Sequence, residues 1–224
     1  DRWGGSKYLS RIAIVKTVGG VVYPQHSFAA NESELLKLAG YSKDIKASRA
    51  EAMKLLKDAG AVGKTIDFSN RGVDQPYKIV GTWLIDQWKK VGFKVKQRVQ
   101  PSPQFYATLR KKKDFDVSID FNCQSVINPI ADITKFLTSA GNNYSHGGDA
   151  KADALYEKLL RSGDAKEQRA LIRQYEKRVL DDASVAFITL WWYKINPHRS
   201  YVKGWKIAPS HYLNQHLDNV WLDK

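Results

Sequence analysis

Two observations predict an α/β fold built on a parallel sheet flanked by helices. Residues 64 to 121 alternate between period-two and helical hydrophobic patterns in the order strand, helix, strand, helix, strand, joined by short links. Such an order makes parallel pairing with right-handed crossovers, with mixed pairing reserved for the sheet edge. The second observation is composition: hydrophobic residues at 43%, aromatics at 12% and seven Trp in 224 residues give enough apolar surface for a packed core, which excludes a disordered chain.

Residues 1 to 40 mix short apolar runs with Gly19-Gly20 and Pro24, too little for a core of their own. The first clear helix is predicted at Ser48-Arg-Ala-Glu51, a capping-box spelling, with Ala52, Leu55, Leu56 and Ala59 on one stripe and Gly60 as its stop. Lys64 to Phe68 reads as a strand and Asn70 to Gln75 as a polar loop. Pro76 stands where proline favours a helix start, and Val80, Trp83, Leu84, Trp88 and Val91 make that helix amphipathic.

Phe93, Val95, Gln97 and Val99 alternate with Lys94, Lys96 and Arg98, the pattern of a strand with one buried face. A short helix follows with Phe105, Tyr106 and Leu109 inward and Arg110 to Lys113 outward, and residues 115–121 alternate again. Ala152, Leu155, Tyr156, Leu159 and Leu160 form one helical stripe. Asp164, three residues before Glu167, caps another with Leu171, Ile172, Tyr175 and Val179 inside. Residues 185–193 are apolar on both faces, which predicts a strand buried on both sides. The polar-aromatic tail beyond Pro197 lacks a core of its own, as the first residues do.

Thirty-six basic against 23 acidic residues give a net charge of +13. The longest basic run, Arg110 to Lys113, ends a predicted helix, where cations meet the macrodipole favourably. Basic residues are not interleaved with stacking aromatics, so the charge points to a solvated surface or to steering of anionic partners, not to nucleic acid. A single cysteine, Cys123, leaves no internal disulfide and does not place the compartment. No apolar run approaches the roughly 18 residues of a membrane span. The sequence opens Asp1-Arg2-Trp3, without initiator or signal pattern, so an N-terminal portion is expected to have been removed.

Signals for chemistry are sparse. The five histidines are scattered with no i, i+4 pair, no metal-binding spacing is present, and no phosphate loop or cofactor motif occurs. Cys123 and Ser125 follow a predicted strand end, where a nucleophile is conceivable, but no Gly-x-Ser-x-Gly turn surrounds Ser125 and no base is placed by sequence. In a parallel sheet the ligand-binding edge is the carboxyl end of the strands, here residues 70–75, 100–104 and 122–128. Trp191-Trp192-Tyr193 is either core or a ligand platform, since adjacent rings on a strand face opposite ways.

Taken in order, residues 47–60, Gln75-Pro-Tyr77, Trp83 to Gly92, Phe115-Asp-Val117, Asn143-Tyr-Ser145 and Tyr201-Val-Lys-Gly-Trp205 resemble the carboxyl half of the extracellular solute-binding proteins of family 5. These are the dipeptide- and oligopeptide-binding receptors of bacterial ABC importers. The resemblance implies a periplasmic-binding-protein-like lobe, with residues 27–193 as the α/β ligand-binding lobe. Residues 1–26 and 194–224 would then be fragments of a first lobe, most of which lies in a missing N-terminal half of the same protein. It further implies a periplasmic location, no enzymatic activity, no cofactor, and the importer's membrane subunits as partners.

The resemblance also marks a departure. Members that bind peptides carry Gly-Trp-x-x-Asp-x-x-Asp-Pro in a strand-to-helix loop whose first Asp captures the peptide ammonium. Here residues 121–129 read Phe-Asn-Cys-Gln-Ser-Val-Ile-Asn-Pro, with Ser125 at that Asp and Asn128 at the second. A hydroxyl does not replace a carboxylate against a buried cation. The expected ligand-binding residues are Asn122, Cys123, Gln124, Ser125, Asn128, Arg71, Asp74, Tyr77, Trp191 and Trp192. The ligand is a small polar solute: a peptide, a modified peptide, or an opine-like or sugar-like molecule. The competing expectation is a hydrolase using Cys123 or Ser125.

Overall fold

The computed structural model describes residues 1–122, 128–193, 195–207 and 216–224. Helix α1 (Arg2–Leu9) leads into strand β1 (Val15–Thr17), the short helix α2 (Glu32–Leu35) and the long helix α3 (Ile45–Asp58). Strand β2 (Thr65–Arg71), helix α4 (Ile79–Lys89), strand β3 (Lys94–Gln100), helix α5 (Ser102–Ala107) and strand β4 (Val117–Ile119) follow. The sheet is wholly parallel in the order β3-β2-β4, with Thr65 to Arg71 of β2 opposite Lys94 to Gln100, and Phe68 to Asn70 opposite Val117 to Ile119. The predicted α/β fold with a parallel sheet flanked by helices is present.

Burial follows position in the sheet. Phe68, Ser69 and Asn70 of the central strand are fully buried, while Lys94 and Lys96 of β3 stay exposed and protect an edge from further pairing. Val80 and Leu84 of α4 close over Phe68, and Trp88 meets the Phe68 ring edge-on at 5.1 Å. Covering a side chain such as Phe68 stabilises by roughly 1.5–3 kcal/mol.

Beyond the sheet, α6 (Pro129–Asp132) precedes α7 (Ala150–Arg161) and α8 (Ala165–Lys177), which pack against each other through Ala152, Tyr156, Leu159, Leu171, Ile172 and Tyr175. Asp149 and Asp164 cap these two helices, accepting the Ala152 and Glu167 amides at 2.8 Å. The Tyr156 and Tyr175 hydroxyls donate to the Ile130 and Ile133 carbonyls at 3.2 and 2.9 Å, which satisfies the polar tips of otherwise buried rings. Strand β5 (Trp191–Trp192) then returns antiparallel to β1, and β6 (Val202–Lys203) pairs with β7 (Trp221–Leu222).

Several expectations shift in detail. The long helix begins at Asp44, whose carboxylate accepts the Ala47 amide at 3.0 Å, so Ser48-Arg-Ala-Glu51 is helix interior and not a capping box. Asn70 and Arg71 belong to β2, not to the loop after it. Pro76 lies in a wide turn at Asp74–Lys78 that precedes regular helix. In β3, Val99 is exposed. The strand predicted over residues 185–193 is reduced to Trp191 and Trp192, with Phe187 and Tyr193 exposed, because its ladder partner β1 has only three residues. Leu9 and Val15 share a core with Phe68, and Val21 and Val22 join the helical core.

Candidate functional site

The carboxyl ends of β2 and β4 carry a closed circuit of aromatic and charged side chains. Arg71, the last residue of β2, donates from Nε to Ser102 Oγ at 2.8 Å and from Nη1 to the Tyr106 hydroxyl at 3.5 Å. Its guanidinium lies 5.2 Å from the Tyr77 ring centre and 5.4 Å from that of Tyr106. Arg110 continues the circuit, 5.2 Å from the Tyr106 ring centre and bonded to the Tyr144 hydroxyl at 3.2 Å. Lys135 lies 5.4 Å from the Tyr144 ring centre, donates to the Phe121 carbonyl at 2.6 Å and pairs with Asp120 at 3.5 Å. The Tyr106 hydroxyl donates to the other oxygen of Asp120 at 3.4 Å and closes the ring of contacts.

Local structure explains each placement. Tyr106 projects from α5, which begins at Ser102 and brings that hydroxyl to Arg71. Asp120 and Phe121 leave β4 directly. Tyr144 is held by Asn143, a buried amide that donates to the Leu137 and Gly147 carbonyls at 3.0 and 2.8 Å and accepts from the Ser145 amide at 3.1 Å. Burial pushes the Tyr77 hydroxyl well above its ordinary range, and burial beside the Asp120 carboxylate pushes that of Tyr106 up to about 12. Both phenols therefore remain protonated and able to donate at neutral pH.

An aromatic wall adjoins this circuit. Trp192 meets the Tyr77 ring at 5.7 Å and that of Phe121 at 6.2 Å, and the Tyr77 and Phe121 centroids are 6.5 Å apart. A cavity of about 690 Å³ opens against Trp192, Phe121, Asn122, Asp120, Lys135 and Tyr144. That volume suits a small solute. Trp192 is 41% exposed, whereas the Trp191 indole turns inward and donates to the Gly20 carbonyl at 3.0 Å. Both rings line the cavity, with Trp192 in the aromatic wall and Trp191 tied to the chain at Gly20.

The other expected residues separate. Tyr77 is buried beside Arg71, and Asn122 reaches the site while donating to the Asp132 carbonyl at 3.2 Å. Asn128 accepts the Ile130 amide at 3.0 Å as the cap of α6. Asp74 is an exposed partner of Lys78 at 2.7 Å. Cys123, Gln124 and Ser125 lie outside the described residues.

Sequence reasoning missed Asp120, Lys135, Tyr106, Arg110 and Tyr144. Tyr106 was legible only as one residue of an inward stripe, and nothing in the spacing joined Lys135 or Tyr144 to Arg71. Among the described residues no group of three or more His, Cys, Asp and Glu is placed to hold a metal ion, and no helix is long and apolar enough to cross a membrane.

The sequence profile of the bacterial extracellular solute-binding proteins, family 5 middle region, matches residues 9–144. Among solved structures, the chain is similar to the ABC transporter-associated periplasmic binding protein DppA from Helicobacter pylori in complex with peptide STSA. That likeness has 19% identity and a TM-score of 0.76, covering 97% of this chain and 41% of that one. It is also similar to Haemophilus influenzae OppA complexed with RPPGFSPFR, at 20% identity and TM-score 0.74, covering 100% and 43%. For the oligopeptide-binding protein AppA from Bacillus subtilis, in complex with a nonapeptide, the values are 15% and 0.72, covering 100% and 45%. A comparison with curated proteins finds no match. The chain thus spans less than half the length of these solved relatives, and at these identities the likeness concerns the fold.

Proposed function

The chain belongs to the bacterial extracellular solute-binding proteins of family 5, and from that membership we propose that it supplies one side of a ligand cleft in the receptor of an ABC importer. The solute is a peptide or another small polar molecule. The observation that carries this reading is the aromatic wall of Trp192, Tyr77 and Phe121 beside Arg71, Tyr106 and Tyr144, at the sheet edge where α/β folds take ligands. The proteins DppA, OppA and AppA, whose fold it shares, were each solved with a peptide, which supports a peptide as the first ligand to test.

Binding by such a receptor needs no covalent step. Contacts from two lobes favour the closed state over the open one by their differential affinity, and the importer's membrane subunits read the closed form. Residues 27–193 would form the ligand-binding lobe, while residues 1–26 and 194–224 would return to a first lobe on the family's two-lobed plan. The chain crossings near Tyr23-Pro24 and residues 192–197 would then serve as hinge. The site of action is the periplasm or cell surface.

The test is mass spectrometry of small molecules retained by the protein on purification, followed by binding of the identified solute. A peptide or small polar solute that rebinds unchanged supports the reading. Catalytic turnover of that solute, lost in Cys123→Ala or Ser125→Ala, would replace it with the hydrolase alternative.

A further inference from the structure

The amino-terminal edge of the sheet, opposite the edge that carries Arg71 and Asp120, collects a second concentration of charge. Helices α3 and α4 and the wide turn Thr108–Lys112 each run back to the amino end of the strand that follows, so the turns into β2, β3 and β4 gather at one edge. The Gly63 amide donates to the Gly92 carbonyl and the Lys94 amide to the Lys64 carbonyl, each at 2.9 Å, which fastens two of these turns together. Lys57, Lys64, Lys89, Lys94, Lys111 and Lys112 are exposed there, and among the described residues none has an ion-pair partner. The nearby acids are mostly engaged: Asp86 pairs with Lys90, Asp67 and Asp114 both pair with Arg98, and Asp116 accepts the Asp67 amide. The macrodipole accounts for lysines at helix ends, but Lys64 and Lys94 open strands, so the excess belongs to the edge as a whole.

Apolar side chains stand among these lysines. Val62, on the turn between Gly60 and Gly63, is 63% exposed, and Leu55, near the end of α3, is 61% exposed. We propose that this edge is a docking face for an anionic phospholipid surface, with the lysines against headgroup phosphates and Val62 entering the interface between them. Flexible ammonium groups mounted on separate turns suit a laterally mobile array of phosphates. A fixed acidic protein partner is matched better by arginine forks around a contiguous apolar centre. The chain belongs to an extracellular family, which leaves lipid, not nucleic acid, as the polyanionic surface within reach. The inference is independent of which solute the receptor binds.

Sedimentation of the 224-residue chain with phospholipid vesicles tests the proposal. Binding is expected to vesicles of equimolar phosphatidylglycerol and phosphatidylcholine, falling at least about tenfold when the ionic strength rises from about 0.1 M to about 0.5 M. Vesicles of phosphatidylcholine alone should bind about a hundredfold more weakly. Changing Lys64, Lys89 and Lys94 together to Gln should weaken binding to the anionic vesicles by about a hundredfold. The same change of net charge at Lys151, Lys158 and Lys166, exposed on α7 and α8, should cost less than about threefold. Val62→Asp should cost about tenfold.

Equal binding to the two vesicle types, equal loss in the two triple variants, or no sedimentation with either vesicle overturns the proposal. So does binding to poly-glutamate that depends on Lys64, Lys89 and Lys94 while the vesicles take up nothing; the face then serves an acidic protein. None of these outcomes touches the solute-binding reading. The lipid and salt dependence of the unsubstituted chain decides the matter even if a triple variant does not fold.

Discussion

Glu176 and Gly20 fit together as a lock: one carboxylate oxygen of Glu176 accepts the Val21 amide at 2.8 Å and occupies the space a side chain on Gly20 would need. The same carboxylate pairs with Arg173, whose other nitrogen donates to the Phe28 carbonyl at 2.7 Å. Tyr41 donates to the Gly19 carbonyl and Trp191 to that of Gly20, each at 3.0 Å. The Gly19-Gly20 segment, which follows β1, is thus held by side chains from three different parts of the chain. Burial shifts Glu176 towards its neutral form, so the contacts to Arg173 and the Val21 amide are what keep the group in place.

Removing one partner should therefore cost more than neutralising it. Glu176→Ala leaves Arg173 buried without its carboxylate and is expected to destabilise the chain by roughly 3–5 kcal/mol. Glu176→Gln keeps an acceptor for the Val21 amide and should cost clearly less. Gly20→Ala forces the carboxylate aside and is expected to cost about 1–3 kcal/mol. Urea denaturation of the three variants checks the order.

The tryptophan pair should divide stability from binding. Trp191→Ala removes packing against Gly19 and the bond to Gly20, with an expected loss of about 3 kcal/mol. Trp192→Ala, at a half-exposed position, should cost about 1 kcal/mol or less while weakening solute binding. Denaturation and titration of both variants would show the two effects exchanged if the assignment of the rings were reversed.

Gly81 of α4 stands where a side chain would strike the Asn70 amide, which donates to the Tyr77 carbonyl at 3.2 Å. Gly81→Ala is expected to destabilise by about 1–3 kcal/mol and to shift the resonances of Tyr77 and Arg71 as well as those of α4. An unchanged Tyr77 environment would show that Asn70 does not set its position.

Acid sensitivity should trace in part to Asp149. Its carboxylate caps α7 and receives two bonds from Arg178, at 2.7 and 2.8 Å, which hold it down at about 2 against an ordinary value of 3.8. A depressed native value contributes stability above pH 4 that is lost as the pH falls through about 2. Asp149→Asn should lower the denaturation midpoint at neutral pH and flatten its fall between pH 4 and 2; an unaltered slope would remove Asp149 from the acid response.

How much of this was legible in the sequence depended on whether the determinants were local. The period-two runs of β2 and β3 and the stripes of α4, α7 and α8 were readable because each face is set by its own spacing. The start of α3 differs because Asp44, one turn ahead of Ser48, caps the helix by accepting the Ala47 amide. The strand over residues 185–193 failed for a different reason: apolar character on both faces does not supply a ladder partner, and β1 is short. Within the site, Arg71 and Tyr77 could be found from their place at and just beyond the end of a strand. Lys135 and Tyr144 could not, because they arrive from a later helical turn and a later loop, through Asp120 and Asn143.

The central claim is that the aromatic wall and guanidinium pair at the carboxyl end of the sheet hold a small polar solute. Tryptophan fluorescence of the 224-residue chain, titrated with a mixed tripeptide pool beside its Trp192→Phe and Trp205→Phe variants, tests it most directly. The account predicts a saturable change that Trp205→Phe retains and Trp192→Phe loses. A change of equal size in Trp192→Phe, or none in the unsubstituted chain, would contradict it.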